Sequence, residues 1–138
     1  MAVKTVYVGR HTLLPAQIQA VEALGLEVVE RIENLPNDSR ELHKLITELK
    51  QKGIQAVLTV ALPPHLLATL SSAFDLYILE MQSSTMQNIT EAEKWVNEKP
   101  QTRTYLPGRP GEPVRILEFK GINKIKVIIN SERVYTVP

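Results

Sequence analysis

Apolar and polar positions along the first eighty residues switch repeatedly between a two-residue and a helical period, and the switches divide this stretch into strands and helices in turn. Val3-Lys4-Thr5-Val6-Tyr7-Val8 is rich in β-branched residues and stops at Gly9, which predicts a first strand. Leu14, Ile18, Val21 and Leu24 then recur at helical spacing, with Pro15 in the tolerant first turn and Gly25 just past the last. Residues 26–32 predict a second strand, and charges on both of its faces (Glu27, Glu30, Arg31) place it at a sheet edge. Asp38 with Glu41 three residues on predicts a capped helix start. The stripe Leu42, Leu45, Ile46, Leu49 follows and ends before Gly53.

Residues 55–62 are nearly continuous apolar sequence, as expected of a strand covered on both faces in the middle of a parallel sheet. Pro63-Pro64-His65 opens a third helix that runs to Ser71 or Ser72, because prolines suit a first turn and not an interior. A fourth strand is predicted over residues 76–81, with the polar loop Gln82-Ser83-Ser84-Thr85 at its carboxyl end. Three β-α units with right-handed crossovers give an α/β fold, a Rossmann-like four-stranded parallel sheet in the order 2-1-3-4 flanked by helices. Its switch point lies between strands 1 and 3, where open α/β sheets bind ligands. That brings Arg10, His11, Pro63, Pro64 and His65 to one crevice.

The chain beyond this core reads differently. Thr90 and Glu93 make a second capping box before a short helix with Ala92, Trp95 and Val96, and residues 106–113 are turn-rich. Residues 114–120, 124–129 and 133–137 alternate like strands, which predicts a C-terminal antiparallel β-meander on the sheet's edge or across a dimer interface. A single domain over residues 1–138 is expected, with a core over 1–82 and an extension over 83–138.

Composition removes several chemistries. With no cysteine, disulfides, thiolate metal sites and cysteine nucleophiles are excluded. His11, His43 and His65 stand far apart without a His-Glu-x-x-His pattern, so no metal and no cofactor is expected. There is no phosphate-cradling loop of the Gly-x-x-x-x-Gly-Lys type, no glycine-rich dinucleotide fingerprint and no Gly-x-Ser-x-Gly elbow. No apolar run is long enough for a bilayer, and a soluble cytoplasmic protein is expected. The net charge of +1 is unevenly spread: residues 1–90 carry seven Lys/Arg against nine Asp/Glu, and residues 91–138 carry nine against six. The basic segment that includes Arg109 and Arg115 suits a small anion or a short piece of nucleic acid, or is simply a solvated surface.

Candidate chemistry therefore rests on the strand-end loops. Arg10 offers a fixed charge and a planar fork for phosphate oxygens, and His11 exchanges a proton near neutral pH. Free amides at the starts of the first and third helices would add anion donors. The bland alternative is a structural pair that caps a helix or meets an interface carboxylate. His43 flanks a buried stripe and reads as structural or exposed. Trp95 and Tyr105 could stack on a base, although Trp95 fits packing or a dimer contact better. Lys120, Lys124 and Lys126 suit edge protection.

The pieces Val8-Gly9-Arg10-His11 and Leu62-Pro63-Pro64-His65-Leu66-Leu67-Ala68, with the strand from Leu76 to Glu80, resemble small CRISPR-associated Rossmann-like proteins grouped with ring nucleases. The resemblance covers residues 3–81. It implies a homodimer that binds a cyclic oligoadenylate at the carboxyl edge of the sheet and cleaves it without metal. On that resemblance Arg10 and His11 are the catalytic candidates. Gly9, Thr12, Pro63, Pro64, His65, Gln82, Ser83 and Arg109 are candidates for the ligand pocket. The basic segment after Met81 lies outside the family's pattern. Two other classes compete: a module that binds a nucleotide or RNA without cutting it, and a homo-oligomeric accessory protein without activity.

Overall fold

The computed structural model describes residues 2–126 and 133–138. Four β-α steps come first: β1 (Val3–Val8), α1 (Pro15–Ala23), β2 (Leu26–Ile32), α2 (Ser39–Gln51), β3 (Ala56–Thr59), α3 (Pro64–Ala73), β4 (Asp75–Met86) and α4 (Ile89–Glu98). Then β5 (Arg103–Leu106) and β6 (Val114–Ile125) complete a six-stranded mixed sheet of order β2-β1-β3-β4-β6-β5. The pairings β1–β2, β1–β3 and β3–β4 are parallel, whereas β4–β6 and β5–β6 are antiparallel. The architecture is α/β with a parallel core, and β2 does lie at an edge.

Local chemistry explains most boundaries. Asp38 accepts hydrogen bonds from the amides of Arg40 and Glu41 and so starts α2 by satisfying orphan donors. Gly25 and Gly53, both at positive φ, end the turns after α1 and α2, where a side chain would be strained. The stripe of α2 (Leu42, Ile46, Leu49) packs with Leu66 and Leu70 of α3 against Val6, Val57 and Leu76 on one face of the sheet. On the opposite face, Val21 of α1 packs with Tyr7, Leu26, Leu58 and Leu79. A third cluster, Ala92, Val114 and Ile116 with Trp95 and Tyr105 beside it, seats α4.

Several expectations are corrected. The central strand β3 spans only Ala56–Thr59, because Val60 and Ala61 already belong to the exposed loop before Pro63. Gln82-Ser83-Ser84-Thr85 are not a loop: they continue β4, held by a register that pairs Gln82 with Glu118 and Thr85 with Arg115. The start of α4 is capped by Asn88, which accepts from the Glu91 amide, and not by Thr90.

The expected three-stranded meander is replaced by one long strand and a short one. Gly121-Ile122-Asn123, read as a turn, lie inside β6, because Glu80 faces Gly121 while Met81 faces Phe119. Lys120 is thus a surplus residue, a β-bulge, and the strand continues through it. β5 was not expected at all, and it adds to the far side of β6. Residues 133–137 carry no regular structure; of the segment 124–129, residues 124 and 125 end β6 and residues 127–129 lie outside the described residues.

Candidate functional site

Two hollows open at the carboxyl end of the parallel strands. The smaller, about 480 Å³, lies between the ends of β1 and β3 and is lined by Gly9, Arg10, His11, Asn34, Leu62 and Pro63, among others. The larger, about 530 Å³, sits on the α1 face, where the distal halves of β4 and β6, with β5, curve over the start of that helix. A backbone bond from the Ala16 amide to the Gln101 carbonyl, at 3.1 Å, ties this wing to α1. Apolar side chains dominate its lining (Leu14, Leu79, Met81, Leu106, Leu117), with polar groups from Tyr7, His11, Gln17, Ser83 and Arg115. Both volumes fall in the range of small-molecule sites. His11 and Ala61 line both hollows, so these two residues stand on the ridge between them.

The strand-end loop bearing His11 is fixed from several sides. Arg31, opposite Tyr7 in the β1–β2 register, donates from Nε to the Gly9 carbonyl at 3.0 Å and from Nη2 to the Arg10 carbonyl. The Tyr7 hydroxyl donates to the His11 carbonyl at 2.9 Å. Gly9 has no side chain because none fits: a Cβ there would stand 2.6 Å from Tyr7 Oη. Burial pushes the Tyr7 phenol above its ordinary value, with Arg31 opposing the shift, so it is a neutral donor and acceptor. Deeper in β3, Thr59 Oγ1 donates to the Val8 carbonyl at 2.9 Å and joins the two strand ends.

The charged groups are less free than their positions in the sequence imply. Arg10 is exposed and its Nη2 donates to Asn34 Oδ1 at 2.9 Å. The expected helix-start amides are largely engaged. At α1 the Leu14 amide donates to Gln17 Oε1 at 2.8 Å, Pro15 has no N–H, and Ala16 is held by Gln101. At α3 the two prolines remove two donors, and the amides of Leu66 and Leu67 turn back to the Pro63 carbonyl. The His11 imidazole is exposed and, among the described residues, no side chain or carbonyl holds it.

The candidates from the sequence divide accordingly. Gly9, Arg10, His11 and Pro63 meet in the smaller hollow, and Thr12 and Ser83 line the larger with His11. Pro64, His65, Gln82 and Arg109 are exposed and line neither hollow. His43 is exposed on α2, and Trp95 packs beneath Arg103, whose guanidinium lies 4.3 Å from its ring.

Sequence reasoning missed Tyr7, Gln17 and Arg31, and it noticed Arg115 only as one charge among many. The signal for Tyr7 was its place two residues before the strand-ending glycine. Gln17 gave none, since a glutamine on a helix normally faces water. Among the described residues no group of acids and histidines could hold a metal ion, and no helix is long and apolar enough to cross a membrane. Comparison with known proteins finds no matching family model, no matching curated protein and no matching solved structure.

Proposed function

We propose that the protein binds a cyclic oligoadenylate across the two strand-end hollows and opens it at His11 without a metal ion. The observation that carries this reading is the position of His11 on the ridge shared by both hollows. A ligand long enough to occupy the two passes His11, and in this reading it brings a phosphodiester to the imidazole. In this reading His11 takes the proton of a ribose 2′-hydroxyl, whose oxygen attacks the neighbouring phosphorus. The bond from phosphorus to the 5′-oxygen breaks, a proton goes to that oxygen, and the products are a 2′,3′-cyclic phosphate and a 5′-hydroxyl. Arg10, beside His11 and tethered by a single bond to Asn34, supplies positive charge to the phosphorane. A symmetric ring is matched by two copies of the chain, each giving one His11.

A second reading, binding without cleavage, is favoured by the consumed helix-start amides and by the unheld imidazole. Without oriented donors the transition state gains little over the bound ground state. Incubation with cyclic tetra- and hexaadenylate in EDTA, with products identified by mass, separates the two. Cleavage by the wild type that His11→Ala abolishes while retaining binding supports the first. Tight binding with intact ligand supports the second, and absence of binding refutes both.

A further inference from the structure

The larger hollow contains an unusual pair of buried polar groups. Gln17 and Tyr7 are each only 4% exposed, and both line it. The amide of Leu14 donates to Gln17 Oε1, which fixes the orientation of this side chain and leaves its Nε2 with the thioether of Met81 at 3.2 Å as partner. A thioether is a weak acceptor. Gln17 therefore presents a buried N–H₂ donor without a strong acceptor, a state that protein interiors normally avoid. The Tyr7 hydroxyl has already donated its proton to the His11 carbonyl, so toward the hollow it is an acceptor.

Thr12, Glu80, Thr104 and Asn123 also line the hollow, and among its polar groups this buried donor and acceptor, set beside apolar walls, fit the edge of an aminated heteroaromatic ring. Adenine carries such an edge, an exocyclic amine beside a ring nitrogen, whereas guanine has a carbonyl oxygen in place of that amine. At the rim, Arg115 directs Nε to Ser83 Oγ at 2.8 Å and, among the described residues, has no carboxylate partner. The rest of its planar fork remains for an anion.

We infer that the larger hollow seats an adenine ring, with Gln17 donating to a ring nitrogen, Tyr7 accepting from the exocyclic amine and Arg115 holding the attached phosphate. This rests on the reading of the protein as an oligoadenylate binder and assigns one nucleotide of that ligand to a place. Because Tyr7 also holds the His11 backbone, the seated base positions its phosphodiester beside the imidazole.

The probe is adenosine 5′-monophosphate, titrated calorimetrically against the full chain, with guanosine 5′-monophosphate and ribose 5-phosphate as comparisons. The adenine nucleotide is expected to bind at least about tenfold more tightly than either, as a polar site rejects a ring that leaves its groups unpaired. Arg115→Gln, at an exposed position, should weaken it at least about tenfold, the loss of one charge-assisted contact. Gln17→Met should abolish the preference over ribose 5-phosphate, provided that its melting temperature without ligand shows a folded protein. Val60→Trp, at a lining position that is 38% exposed, puts a large ring into the hollow while leaving Gln17 in the chain, and should abolish binding.

Equal affinity for the three probes, or unchanged binding by Arg115→Gln and Val60→Trp, overturns the assignment. If cyclic oligoadenylate is bound and cut while the mononucleotide neither binds nor competes, the assignment falls and the function stands. If the mononucleotide binds with these dependences and no oligoadenylate binds, the hollow is an adenine-nucleotide site and the oligoadenylate reading falls.

Discussion

Gly9→Ala is the sharpest test of how the strand end is built. The added methyl would stand 2.6 Å from Tyr7 Oη and 2.8 Å from Cζ, well inside van der Waals contact. A flexible tip would swing aside at little cost, but this ring is 4% exposed, sits among Val21, Leu26 and Leu58, and is anchored by its bond to the His11 carbonyl. Overpacking of this kind costs about 1–3 kcal/mol. In a chain of this size that corresponds to a fall in melting temperature of roughly 3–10 °C.

Tyr7→Phe alone removes one hydrogen bond, a loss of about 1 kcal/mol. It also removes the atom nearest the new methyl. The two changes should therefore couple, with the double mutant less damaged than the sum by about 0.5–2 kcal/mol. Urea denaturation of the four proteins measures the cycle. Gly9→Ala within about 0.5 kcal/mol of wild type, with no coupling to Tyr7→Phe, would refute the reasoning, since only strain distinguishes it from an ordinary surface change.

Other outcomes follow from the same structure. Arg31→Gln frees the Gly9 and Arg10 carbonyls and should weaken ligand binding at the strand end several-fold while changing stability by less than about 1 kcal/mol, because the side chain is 41% exposed and its contacts are open to solvent. Lys120 and Arg103 hold the Glu118 carboxyl down from 4.5 to about 2. Its stabilising effect is therefore whole above pH 4.5 and is lost as the pH falls toward 2, which Trp95 fluorescence should report through its contact with Arg103. Glu118→Gln should flatten that acid transition. Leu58→Ala, at a fully buried position in the central strand, should cost about 2–5 kcal/mol by chemical denaturation.

The parallel half of the fold was legible because its signals agree with one another. In β1 the β-branched run ends at Gly9, the apolar run that holds β3 ends before Pro63, and α2 combines a cap at Asp38 with the stripe Leu42, Leu45, Ile46, Leu49. The C-terminal half was not, because its strands are specified by their partners. Gln82-Ser83-Ser84-Thr85 have a poor intrinsic preference for strand and are extended only because β6 lies alongside them. Gly121 looked like punctuation and proved to follow a bulge.

The site was half visible for a similar reason. Arg10 and His11 announce themselves at a strand end, but Gln17 and Arg115 lie 98 positions apart and acquire meaning only when the wing folds over α1. His65 follows the same kind of strand end as His11, yet Pro63 and Pro64 start α3 at once, and the side chain faces solvent on the first turn.

The surplus Lys120 also changes the parity of its strand. Before it, even-numbered Val114 and Ile116 face α4 while odd-numbered Phe119 faces the α1 side; after it, even-numbered Ile122 joins Phe119 on that side. A single strand thereby supplies apolar groups to different layers at its two ends. Were Lys120 instead paired in register opposite Glu80, everything beyond it would invert and Ile122 would turn toward the opposite layer; deleting Lys120 would close the bulge and leave Ile122 opposite Leu79. The strand thus depends on the bulge taking one residue out of the pairing, and a lysine serves there as well as many residues would.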